Sequence, residues 1–178
     1  LQLGLSYKAT EWLSVFGGGR MNYFTGGYKG FLNAIVKGTD TNLLPLALNC
    51  DQTGWGLTPV IGADVKLGKL NIGAKYEFKT NLNIENNTKN LQYPPSAKDM
   101  VAPYEHGVNT PNDIPAMLSI AAAYEFLPVL RASVEYHFYD DKNAGMANGK
   151  QKYLTKGTNE YLAGIEFDVT KQLTLSCG

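Results

Sequence analysis

The two histidines are the place to look for chemistry, because imidazole exchanges protons near neutral pH. His137 falls in the alternating run LRASVEYHFYD, on the same face as Glu135 and Arg131. A His–Glu pair at that spacing can be drawn as a general base with an orienting carboxylate. The same side chains also make a salt-bridge network that keeps charge paired and away from an apolar surround, and that reading fits the remaining sequence better. His106, with Glu105 and Asp99, offers too few ligands for a metal site. No GxSxG, Walker loop or CxxC occurs. The expectation is no catalytic residue, no metal, no cofactor and no enzyme activity. Sixteen basic residues are interspersed with sixteen acidic ones, so no patch forms for phosphates and no nucleic-acid partner is expected.

The elements that must carry these residues are strands. The stretch Gly54 to Asn87 reads GWGLTPVIGADVKLGKLNIGAKYEFKTNLNIENN. Trp55, Leu57, Pro59, Ile61, Ala63, Val65 and Leu67 alternate with Gly56, Thr58, Val60, Gly62, Asp64 and Lys66. After Gly68-Lys69, Leu70, Ile72, Ala74, Tyr76, Phe78 and Leu82 alternate with Asn71, Gly73, Lys75, Glu77, Lys79, Asn81 and Asn83. This predicts two antiparallel strands joined by a tight turn. Each runs for about 12 residues, against about 5–6 in soluble domains and about 9–11 for a tilted bilayer crossing. One face carries no charge; the other takes Asp64, Lys66, Lys75, Glu77 and Lys79. A barrel with lipid outside and a polar lumen fits this, and so does a soluble sandwich with the faces inverted.

The whole chain repeats the pattern. Leucines 1, 3 and 5 with Tyr7 alternate with Gln2, Gly4, Ser6 and Lys8; Leu13, Val15, Met21 and Tyr23 alternate with Ser14, Phe16, Gly18, Arg20 and Asn22. Leu118, Ile120, Ala122 and Tyr124 oppose Met117, Ser119, Ala121, Ala123 and Glu125. Further strands are expected over 130–139 and 159–169 and from Leu173. Eight strands result. Short turns at 9–12, 68–69, 127–129 and 170–172 alternate with long connections at 25–53, 85–114 and 140–158. In an up-and-down meander this puts short turns on one rim and long loops, expected to be extracellular, on the other. Within the first long connection, KGFLNAIVKG is expected to form a short helix. Aromatic residues gather near strand ends, as interfacial girdles do. Asn86-Asn87-Thr88 matches a glycosylation sequon of a kind common by chance.

Composition agrees. Charged residues are 18% of 178, below the roughly 25% of soluble domains, and no apolar run nears the ~18 residues of a spanning helix. Mean hydropathy is −0.21. Cys50, expected in a loop, and Cys177, on a strand, are poorly placed for a disulfide. The chain opens and stops inside strand patterns, so it is expected to be an internal segment of a longer protein.

With hairpins placed, GWGLTPVIGADVKLGKLNIGAKYEFKTNLNIEN, DIPAMLSIAAAYEFLPVLRASVEYHFYDDKN and EYLAGIEFDVTKQLTLSCG resemble the FadL-type outer-membrane transporters of fatty acids and aromatic hydrocarbons. The resemblance covers most of the chain and rests on hairpin pattern. It implies a single segment, residues 1–178, of an all-β, antiparallel up-and-down transmembrane β-barrel, about eight of fourteen strands, in the outer membrane of a Gram-negative bacterium. The family's N-terminal hatch has no counterpart here. The resemblance further implies passive uptake of hydrophobic small molecules such as long-chain fatty acids, captured on apolar loop surface. Capture residues would be Phe31, Leu32, Ile35, Val36, Leu43 and Leu44. Lumen-lining residues would be Phe16, Arg20, Lys75, Glu77, Met117, Arg131, Glu135 and His137. Release sideways through a strand distortion makes Pro59 a candidate, since proline removes a ladder donor. Expected partners are outer-membrane lipid and the hydrophobic substrate, with the protein a monomer. The alternatives are a structural or adhesive eight-stranded barrel and a general porin.

Overall fold

The computed structural model describes residues 1–35 and 43–178, with side chains described for all of these except 32–35, 43–45 and 147–148. Ten antiparallel strands form one sheet: β1 (Gln2–Lys8), β2 (Leu13–Ile35), β3 (Leu43–Leu67), β4 (Leu70–Glu77), β5 (Asn83–Gln92), β6 (Asn109–Pro111), β7 (Met117–Leu127), β8 (Leu130–Tyr139), β9 (Thr158–Asp168) and β10 (Thr174–Cys177). The main path runs β1-β2-β3-β4-β7-β8-β9-β10, the expected eight-strand meander; β5 pairs with β3, and β6 with β5. No helix among the described residues is long and apolar enough to cross a membrane.

The chain divides into two compact units. The first comprises Leu1–Met21, Leu57–Thr80 and Asp113–Gly178. Its strands keep unbroken ladders, from Leu67↔Leu70 to Val60↔Glu77 between β3 and β4, and from Leu130↔Phe167 to Tyr139↔Thr158 between β8 and β9. Gly68, at φ 62°, supplies the left-handed residue of the two-residue β3–β4 turn. Because pleated side chains alternate, these registers place Gly62, Lys75, Ser119, His137 and Glu160 in one row on one face. The opposite face is apolar and exposed: Leu3, Leu5, Ile61, Ile120, Val134 (60% exposed), Ile165 and Leu175 all meet the surround. A soluble sandwich would bury that face. Here the charged face carries the ion pairs instead.

The second unit, Asn22–Gly56 with Asn81–Asn112, is where the sequence reading needs correction. The connection at 25–53 was expected to be irregular, with a helix over KGFLNAIVKG. Instead β2 continues as strand to Ile35, and β3 begins at Leu43 and carries Cys50 within it, buried. Four apolar residues at i, i+1, i+4 and i+5 do not separate a helix from a strand, and the neighbouring strand supplies a ladder that decides the matter. The two strands are 23 and 25 residues long, more than twice what a bilayer crossing takes.

The connection at 85–114 is also more ordered than expected. β5 lies on β3 from Trp55↔Asn83 to Ala47↔Gln92, with a bulge at Asn49/Cys50. Short helical turns follow at Pro95–Ala97, Lys98–Val101 and Ala102–Tyr104. Leu82, assigned by alternation to the same face as Tyr76, is buried, because β4 stops at Glu77 and the alternation does not carry through. Ile84, Asn86 and Val101 are buried with it. Asn86 Nδ2 donates to the Pro103 carbonyl at 2.7 Å, and its Oδ1 accepts from Gln52 Nε2 at 2.7 Å. Both ends of the Asn86 amide are thus engaged within the chain. The connection at 140–158 holds only short 3₁₀ turns.

The exposed apolar face makes one firm demand. Val134→Lys, at the middle of β8, should cost the full-length protein about 2–4 kcal/mol in an unfolding titration in lipid vesicles. A change within about 0.5 kcal/mol is what a water-facing position gives, and would refute a lipid-facing surface.

Candidate functional site

The charged face of the first unit gathers most of the expected lining residues into three networks. In the first, Arg20 Nη1 and Nη2 donate to Glu77 Oε2 and Oε1 at 2.7 and 3.0 Å, Lys75 Nζ reaches Glu77 Oε1 at 2.9 Å, and Arg20 Nε donates to Gln2 Oε1 at 3.0 Å. Glu77 is buried between the two cations, and Met117 is its neighbour across the ladder on β7. In the second, His137 lies between Glu135 (Nε2···Oε1, 2.6 Å) and Glu160 (Nδ1···Oε2, 3.0 Å), and the Tyr139 hydroxyl donates to Glu160 at 3.1 Å. Both ring nitrogens meet carboxylates, which makes His137 the centre of this ion-pair network. In the third, nearer the short turns, Arg131 forks onto Asp168 (3.0 and 3.0 Å) and donates through Nε to Glu166 at 3.0 Å. Among the described residues, His106, Glu105 and Asp99 belong to no group of three or more metal-ligating side chains.

Between the first two networks the same face opens into a cavity of about 340 Å³. Gly62, Gly73 and Ala121 form its floor, Phe16 one wall, and Ser6, Ser14, Asp64, Lys75, Ser119 and Glu135 its polar lining. The floor is low because its inward positions have little or no side chain. Phe16 is held by a similar device: its ring lies against Gly4 and Gly18, and a Cβ at either glycine would collide with it.

The β3–β4 ladder gives out opposite Pro59. Phe78 N–H still donates to the Pro59 carbonyl at 3.0 Å. Two residues later Thr80 has left β3 and exchanges both backbone hydrogen bonds with Ile114, at 3.0 Å each. The buried hydroxyls of Thr58 and Thr80 hydrogen-bond across the gap. Pro59 itself stays within an uninterrupted β3; the irregular segment is on the partner side, residues 78–82.

The second unit presents an apolar groove of about 310 Å³ lined by Tyr28, Phe31, Leu46 and Leu48, with Lys29 and Gly30. Phe31 is 81% exposed, and Tyr28 stacks edge-on against Tyr104 at 5.7 Å. Of the six expected capture residues, Phe31 is thus placed in a groove. Leu32, Ile35, Leu43 and Leu44 are on β2 and β3, but their side chains lie outside the described residues, as does Val36 altogether. Sequence reasoning missed Tyr28, Leu46 and Leu48 as partners of Phe31, since a loop gives no phase from which to pair them. It also missed Ser119 and the glycine floor, whose signal was present as small residues recurring on the inward set.

An all-β meander with charges gathered on one face and apolar side chains exposed on the other has the organisation of a β-barrel. The fold matches the crystal structure of the Ralstonia pickettii toluene transporter TbuX at a TM-score of 0.61 and 14% identity, over 96% of this chain and 51% of that one. The chain thus spans about half the length of that protein. Comparison with protein-family models and with curated proteins returned no match. The relationship to FadL-type transporters expected from the hairpin pattern is supported at the level of fold.

Glu77 is the residue on which its network turns. Glu77→Gln leaves Arg20 and Lys75 facing each other without a carboxylate and should cost about 2–3 kcal/mol, at the lower end for a buried pair because the guanidinium is partly exposed. Combining it with Arg20→Met should recover part of the loss in a double-mutant cycle; strictly additive losses would show the network carries no coupling.

Proposed function

We propose that this chain is part of an outer-membrane channel for passive uptake of hydrophobic small molecules, in a protein that meets lipid on its apolar face, works as a monomer and catalyses no reaction. The observation that carries the reading is the inverted sheet: exposed apolar side chains on one face, paired charges and a cavity on the other. Its support from comparison is the shared fold with a toluene transporter. The groove of Tyr28, Phe31, Leu46 and Leu48 is the capture surface. Long-chain fatty acids and small aromatic hydrocarbons both meet its chemistry, since apolar area removed from water contributes about 25 cal/mol per Å² and asks for no particular head group. A captured molecule then moves along the charged face by diffusion, with no energy source. The interruption at residues 78–82 is the place for sideways release, because the ladder that would seal the wall is diverted there to Ile114.

The test is binding of a fluorescent fatty acid, competed by toluene, to the full-length protein in detergent. Saturable binding should weaken at least tenfold in Phe31→Asp/Leu48→Asp, because two charges placed in an apolar groove must be desolvated when a ligand enters. Folded wild-type protein that binds neither molecule would sink the transporter reading.

A further inference from the structure

We propose that the cavity on the charged face of the first unit selects compact, neutral aromatic molecules bearing one hydroxyl, read by Ser119. The proposal rests on the channel reading above and names its substrate class. Ser119 is 94% buried by its 6% exposure, and its hydroxyl has no hydrogen-bond partner among the described residues, although it lines the cavity. A buried hydroxyl is costly to leave unmatched, so such a group in a ligand-sized cavity marks where a ligand's own donor and acceptor belongs.

The charged neighbours are already committed. Lys75 holds Glu77, Asp64 accepts from Asn71 Nδ2 at 2.8 Å, and Glu135 meets His137 at 2.6 Å. That leaves the serine hydroxyls: Ser6 is exposed, Ser14 is half-buried, and Ser119 is the buried one, able both to donate and to accept, as is a phenol. Two carboxylates against one ammonium line the cavity, a balance that repels an anionic head group. At about 340 Å³ the space is at the small end of ligand sites, suiting one ring on the Gly62–Gly73–Ala121 floor beside Phe16.

Toluene and p-cresol differ by that hydroxyl alone, and calorimetric titration of each into the full-length protein isolates it. The wild type should prefer p-cresol by roughly three- to tenfold, a preference that collapses to about one in Ser119→Ala. Decanoate should compete with p-cresol at least tenfold more weakly than p-cresol competes with itself. Gly73→Leu tests the place: a Cβ there meets only Asp64 Oδ2, at 3.7 Å, so the variant folds while its side chain fills the floor, and both aromatic ligands should be lost from the site. Equal affinities in the wild type, a preference that survives Ser119→Ala, equal competition by decanoate, or full binding in Gly73→Leu would each overturn the assignment while leaving the channel reading intact. Failure of both ligands to bind the folded wild type would overturn both.

Discussion

A sheet that exposes an apolar face depends on its backbone ladder, because N–H and C=O groups left unpaired beside an apolar surround are costly. Through most of the first unit the ladder is continuous, with successive partners matched from β3 through β4, β7, β8 and β9. Pairing in that register forces every second side chain onto the same face. Charges therefore cannot scatter. Arg20, Lys75, Glu77, Arg131, Glu135 and His137 are brought to one face by strand phase. There Lys75, Glu135 and His137 find counter-charges two positions along their strands, Arg131 finds Asp168 on the next strand, and Arg20 reaches past β3 to Glu77.

Where the ladder is interrupted, the molecule compensates locally. Pro59 has no N–H to give, β4 stops at Glu77, and Thr80 turns to Ile114. The Thr58–Thr80 hydroxyl pair keeps buried polar groups satisfied at the gap. Val60 and Thr80, both fully buried, sit beside that irregularity. The diverted ladder and the tight packing beside it thus involve the same few residues.

The two grooves differ in what they ask of a ligand. Tyr28, Phe31, Leu46 and Leu48 offer apolar area, which discriminates weakly among hydrophobic molecules. The cavity over Gly62, Gly73 and Ala121 is rimmed by polar groups that are nearly all satisfied within the chain. Hydrogen bonds that are already made do not select. A single unmatched hydroxyl does, because it penalises the partner that lacks a group to meet it.

Alternation alone was enough to determine the eight-strand meander, the face of the charged strand residues in the first unit and the position of the short turns, because a pleated strand has a period of two that any stretch of sequence displays. The expected barrel class followed from the length of those runs and the fold comparison agrees with it. Three things required tertiary structure. Residues 83–92 became strand because β3 was there to pair with them, a preference that Asn-rich sequence does not carry by itself, and residues 29–35 continue β2 where a loop was expected. Leu82 left the alternation because the chain breaks step at residue 78, and period-two reading has no means to register a break. The cavity arose from absent side chains in three adjacent strands, Gly62, Gly73 and Ala121, which are far apart in sequence and meet only once register is set.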